Sequence, residues 1–147
     1  MLCLLESSEY ENKARFLRPT HLNLANMTKL GFSRSISQVE EKEQVEDIGV
    51  RMILNSIIKH KSLVYVNLQN NNMDDGILCI LFKGLQHNNT IIHIDIGNGF
   101  VLGRNKIRMR AAEGLRGLLL NNSVLQILNI ENCGVNQETF PIIIKGI

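Results

Sequence analysis

Four segments of the chain alternate apolar and polar residues: "THLNLAN" from Thr20, "LVYVNLQN" from Leu63, "IIHIDIG" from Ile91 and "LQILNIEN" from Leu125. Successive side chains of a strand point to opposite faces, so each segment predicts a short strand with one apolar face. Apolar residues at helical spacing follow. In the second segment Leu63, Val66 and Leu68 precede Asn71, Met73, Ile77, Leu81 and Leu85, and a polar "HNNT" closes the unit. The triplet restarts 28 residues later at Ile91, Ile94 and Ile96, and 34 residues after that at Leu125, Leu128 and Ile130. Counting back from Leu63, Ile91 and Leu125 meets the same pairs each time: Ile53 and Ile57, Leu81 and Leu85, Leu115 and Leu119. Four residues before each pair stand Gly49, Ile77 and Ala111, two of them small enough for a close helix approach. Internal repetition of strand, turn and helix predicts an α/β fold, with a parallel sheet and a layer of helices sharing one core.

The units are unequal. The first begins near Pro19, where the pattern wants Leu, and continues with Leu22 and Leu24. It runs 44 residues to Leu63, 16 more than the second unit, and the third carries 6 extra. Both insertions fall between strand and helix and are expected on one rim. The chain divides as a single domain into a cap over 1–18, units over 19–62, 63–90 and 91–124, and an incomplete unit over 125–147. Tyr10, Ala14 and Leu17 form the apolar edge of the expected cap helix, with Ser8 and Glu11 at capping-box spacing. Running the pattern forward from Leu125 puts core positions at Ile143 and Ile147, and "FPIIIKGI" offers no polar cap. The expectation is a longer array, or an end covered by a second copy or a partner.

"LVYVNLQNNNM" matches L-x-x-L-x-L-x-x-N-x-L closely, and "LQILNIENCGV" matches it with Cys133 at the Asn/Cys position. On these residues the chain resembles the leucine-rich repeat family over roughly residues 17 to 147, and its 28-residue unit is similar to the ribonuclease-inhibitor-like class. Met27 and Gly99 depart from the pattern in the first and third units, and Asn105 in "RNKI" recovers it after the third unit's insertion. The resemblance implies a horseshoe-segment solenoid with the sheet on its concave face and helices on its convex face. It also implies a non-enzymatic protein-binding module or scaffold. An alternative is regulation of a small GTPase, because the Ran GTPase-activating proteins resemble this repeat class and use the rim and concave edge. Arg104 would then be the residue of interest.

The residues between the apolar positions sort into three exposed columns: His21, Tyr65, His93 and Ile127; Asn23, Asn67, Asp95 and Asn129; Ala25, Gln69, Gly97 and Glu131. Partner contacts are expected from His21, Asn23, Tyr65, Asn67, Gln69, His93, Asp95, Asn129 and Glu131, with Tyr65 as anchor. His93 and Asp95 are same-face neighbours without a nucleophile or a closed pocket, so no catalytic group is assigned. His21 and His93 lie two strands apart, roughly 10 Å, too far to share a metal. No cofactor is expected. His60 and His87 read as structural residues at matching helix ends.

Charge separates the two insertions. "GRNKIRMR" holds Arg104, Lys106, Arg108 and Arg110 with no acid, whereas "SQVEEKEQVED" holds Glu40, Glu41, Glu43, Glu46 and Asp47 against Lys42. The basic segment is expected to bind an acidic partner and the acidic one to mask it. Overall charge is only +2, and two Tyr and five Phe leave few rings for stacking, so nucleic acid ranks well below protein. With 147 residues and 44% hydrophobic composition the chain reads as one soluble domain. Cys3, Cys79 and Cys133 form no CxxC pair, which argues against zinc or a disulfide framework and for a reducing, cytoplasmic setting, with a cytoskeletal scaffold as one form the module could take. "MLCLL" is short for a signal peptide, and no stretch reaches the roughly 18 apolar residues of a membrane span. Of the sequons at Asn26, Asn88 and Asn121, the last two fall at helix-to-strand turns, where Asn is expected to take a left-handed backbone.

From the apolar C-terminal run, the isolated chain is expected to self-associate in analytical ultracentrifugation, and charged substitutions at Ile142 and Ile144 are expected to alter that association. A monomer at high concentration would contradict this.

Overall fold

The alternating triplets form four strands of three residues each: β1 (His21–Asn23), β2 (Tyr65–Asn67), β3 (His93–Asp95) and β4 (Ile127–Asn129). The computed structural model describes residues 19–27, 40–99 and 104–147, with side chains of the first helix described from Gly49 onward. The expected cap over 1–18 therefore lies outside the described residues, as does any pairing of the acidic side chains with the basic segment. The strands pair in parallel in chain order, and the register is continuous: His21, Tyr65, His93 and Ile127 align, as do Asn23, Asn67, Asp95 and Asn129. Among the described residues four helices alternate with them, α1 (Glu40–Lys59), α2 (Asp75–Leu85), α3 (Met109–Asn121) and α4 (Phe140–Ile144). The fold is α/β, with a four-stranded parallel sheet.

One core joins the two layers. Val66 and Ile94 from the strands meet Leu78, Leu81, Phe82 and Leu85 of α2 and Ala112, Leu115 and Leu118 of α3. Ile57, Leu81, Leu85 and Leu115 are buried as expected, and the stripe departs from the expected pairs only at Ile53 and Leu119, because counting in fours drifts off a 3.6-residue turn. Leu54 and Leu118 are fully buried, while Ile53 and Leu119 are only partly covered. Gly49 does not serve a close approach, since nothing lies within 4 Å of where its Cβ would be. That role belongs to Gly114, whose Cβ would stand 3.3 Å from the Cys79 carbonyl oxygen and 3.4 Å from Cys79 Cα. Missing side-chain bulk there lets α3 touch the backbone of α2.

The acidic run is another correction. Glu40 to Asp47 belong to α1 itself rather than to an insertion ahead of it, in keeping with the helix propensity of Glu, Gln and Lys and with the attraction of acids to a helix N-terminus. At the other end Ile143 is buried as expected, but Ile147 is 94% exposed and α4 stops at Ile144. Leu125, Leu128 and Ile130 of the last unit are half-covered where their counterparts Leu63, Val66 and Leu68 are buried.

Side-chain amides satisfy the turns between units. Asn71 donates to the Leu24 carbonyl at 2.7 Å and accepts from the Met27 amide at 2.7 Å. One unit on, Asn105 donates to the carbonyls of Leu68 and Ile96 and accepts from the Met73 amide. Cys133 continues the row, its thiol donating to the Ile96 carbonyl at 3.1 Å. The departures at Met27 and Gly99 are thus compensated: Met27 is held through its backbone, and the Gly99 amide donates to Asn70 Oδ1 at 2.8 Å.

A second row lies at the opposite turns. Asn88 bonds Ile58 and the Ile91 amide, and Asn122 bonds Leu85, Asn88 and the Leu125 amide. The left-handed backbone expected at Asn88 and Asn121 is found instead in the strand-to-helix turns, at Asn26, Asn70, Asn72 and Asn132. Asn88 is buried and bonded on both sides of its amide, so its sequon is unsuited to glycosylation.

Asn105→Ala removes a fully buried amide, leaving the Leu68 carbonyl and the Met73 N–H without their side-chain partner and the Ile96 carbonyl with the Cys133 thiol alone. The expected loss is on the order of 3 kcal/mol in chemical denaturation, against less than about 0.5 kcal/mol for Asn121→Ala, which is exposed.

Candidate functional site

On the sheet face away from the helices, the first column gathers its rings. Tyr65 stands edge-on to His93 with centroids 4.7 Å apart, and His21 lies tilted on its other side at 5.7 Å. Strand spacing and continuous register bring them into contact. Ile127 extends the row at 51% exposure, so four neighbouring strands present one continuous band of ring and aliphatic surface. Ile127 stands in the first column but is not among the contacts expected from the sequence. Its apolar side chain on an exposed strand position was the available signal.

His93 and Asp95 do not form a pair. The His93 ring is turned to Tyr65, and Asp95 Oδ1 accepts from the Gly97 amide at 3.0 Å. The whole second column behaves alike, Asn23, Asn67 and Asn129 accepting from the amides of Ala25, Gln69 and Glu131. These are side-chain turns that end each strand. Asn67 is only 8% exposed, and its amide nitrogen reaches Gln69 Oε1 at 3.5 Å. Its expected role as a partner contact is corrected to a structural one. Asn23 and Glu131 are exposed, while Gln69, Asp95 and Asn129 are partly exposed beside the ring band. His60 also acts within the fold, its Nδ1 accepting from the Ser62 amide at 3.3 Å.

The basic rim is well apart from the ring band in the sequence of each unit, after the strand and before the helix. Arg104, Lys106, Arg108 and Arg110 are all exposed. An open cleft of about 350 Å³ is lined by Asp74, Asp75, Gly76, Lys106, Arg108 and Arg110. A second, of about 230 Å³, runs from Arg104 through Arg108 to Asn132, Cys133 and Gly134. Asp75 is committed within the fold: its carboxylate accepts from the amides of Arg108, Arg110 and Ala111 at 2.8, 3.2 and 2.9 Å. It fills the anion-attracting N-terminus of α3 from the neighbouring unit.

The Cys133 thiol is buried under the second cleft, and that burial pushes its pKa up to about 12, with the charge of Asp95 adding to the rise. It is a hydrogen-bond donor rather than a nucleophile. No group of three or more metal-ligating side chains occurs among the described residues. No helix among them is long and apolar enough to cross a membrane. Compared with known proteins, the chain matches no family model and no curated protein.

The raised thiol pKa fixes the sign of one pH effect. The folded chain keeps a proton that the unfolded chain releases near 9.0, so this contribution is complete below that pH and declines as pH rises toward about 12. Urea titrations across this range should show a flatter decline for Cys133→Ala than for the parent, the difference in slope being at most about 1.4 kcal/mol per pH unit. Parallel declines would show that the thiol does not contribute.

Proposed function

We propose that the chain is a non-enzymatic protein-binding module, a segment of a leucine-rich repeat solenoid that holds a protein partner on the open face of its sheet and along the basic rim. The observation that carries this reading is the ring band of His21, Tyr65 and His93, continued by exposed Ile127. Aromatic side chains on rigid strands offer large contact area with little entropy left to lose, and such residues dominate binding hot spots. Asp95, Asn129 and Glu131 flank the band as its polar border. The repeat reading is supported by the continuous strand register and by the Asn71, Asn105 and Cys133 row. Cys79 and Cys133 are free and buried, which favours a reducing, cytoplasmic setting.

Affinity capture with the parent chain and with Tyr65→Ala tests the proposal. Tyr65 is partly exposed on the open face, so its removal should leave the melting temperature close to that of the parent. A partner retained by the parent should bind Tyr65→Ala about thirtyfold more weakly, on the order of 2 kcal/mol. Equal retention by Tyr65→Ala, His93→Ala and Asp95→Ala would sink the sheet-face reading. Stimulation of a small GTPase that is lost in Arg104→Ala would replace it with the regulatory one.

A further inference from the structure

Residues 104 to 108 have the geometry of a strand although they lie outside the sheet. Asn105 and Ile107 are buried at 0% and 1% exposure, while Arg104, Lys106 and Arg108 are exposed. Consecutive amides go to opposite neighbours: Lys106 donates to the Met73 carbonyl at 2.9 Å and Ile107 to the Cys133 carbonyl at 2.8 Å. At Arg108 the backbone is extended, with φ −119 and ψ −160. Asn105 anchors the middle through both its side chain and its amide, which donates to Asn98 Oδ1 at 2.7 Å. The result is three cations on one side of a pinned backbone, at two-residue intervals of roughly 7 Å. None of the three belongs to an ion pair among the described residues, where Arg116 pairs with Glu113.

We infer that this row binds an extended acidic segment of a protein partner, one that carries a carboxylate at every second residue. The inference rests on the reading of the rim as part of a protein-binding module and specifies what the rim takes. Alternate side chains of an extended peptide repeat at the same roughly 7 Å interval, so each carboxylate meets a cation without either backbone bending. A run of contiguous acids turns half its charges away, and a helix repeats at about 5.4 Å per turn, out of step with the row. Two acids also line the larger cleft, but both are held inside the fold, Asp75 by three amides and Asp74 by the Ile77 amide at 2.9 Å. Because the receiving backbone is already fixed, binding orders only side chains and the peptide itself. Neither cleft is lined by an aromatic ring, so single-stranded nucleic acid would find phosphate contacts there without a stacking platform.

Fluorescence anisotropy on the full chain at low salt tests this with three probes. One is a peptide of three Glu alternating with Ser, the second a peptide of the same composition with its three Glu contiguous, so that an extended backbone turns only two of them to the row, and the third oligothymidylate. The alternating peptide should bind about tenfold more tightly than the block peptide. Lys106→Glu should weaken it by about tenfold and Lys106→Gln by less, both at unchanged melting temperature, while Tyr65→Ala leaves it unaltered. Equal affinity for the two peptides, tighter binding of oligothymidylate, or indifference to Lys106→Glu would each overturn the inference. Those results would leave the sheet-face reading intact, because that reading is decided by Tyr65→Ala against a captured partner. Loss of the sheet-face result with the peptide preference retained would overturn the sheet face alone.

Discussion

Everything else in this molecule depends on buried side-chain amides that complete the hydrogen bonding of its turns. A stack of short strands and helices has many bends, and each bend leaves backbone carbonyls and N–H groups that neither element can satisfy. Buried without partners, such groups cost about 1–3 kcal/mol apiece. Asn71 and Asn105 close one set of bends, and Asn88 and Asn122 close the opposite set, each reaching into the unit before its own. Among the described residues no buried side-chain nitrogen or oxygen lacks a partner. Because these amides tie successive units at both ends, the strands between them are held in one register.

Register is what turns side chains into surfaces. A slip of one residue would turn a strand's face over and scatter the rings of His21, Tyr65 and His93. The fixed alignment instead sets them in contact and places Ile127 at the end of the row. On the rim the same amide that closes a turn, Asn105, also straightens the residues beside it, so that Arg104, Lys106 and Arg108 share a side. On the rim Arg104, Lys106 and Arg108 alternate with buried Asn105 and Ile107, and on the sheet Tyr65 and His93 each stand beside a buried residue, Val66 and Ile94.

Much of this was legible in the sequence because it rests on periodicity. Strand triplets at Leu63, Ile91 and Leu125 gave the order of elements, and the return of Asn105 after the insertion of the third unit gave the amide row. What periodicity does not encode is depth. Alternation assigned Asn67 to the open face correctly, yet could not tell that its side chain folds back on the Gln69 amide and is covered. The two Asn-rich turns look alike in sequence, so the left-handed residues were assigned to the wrong one; which turn needs positive φ depends on the path of the chain there. Unit length places the acidic run between strand and helix, whereas its composition favours the helix it forms. Gly49 and Gly114 are equally small, and only the approach of α2 distinguishes them.

Asp75 carries a consequence for how the chain moves. It sits in the first turn of α2 but bonds the first amides of α3, so the boundary drawn through the sequence repeat is not a boundary of cooperativity. Loosening α2 withdraws the carboxylate and leaves α3 with orphaned donors at its positive end, while loosening α3 strands a carboxylate that has lost its three partners. Fluctuations in this chain are therefore shared between neighbours. The carboxylate ties the opening of α2 to that of α3.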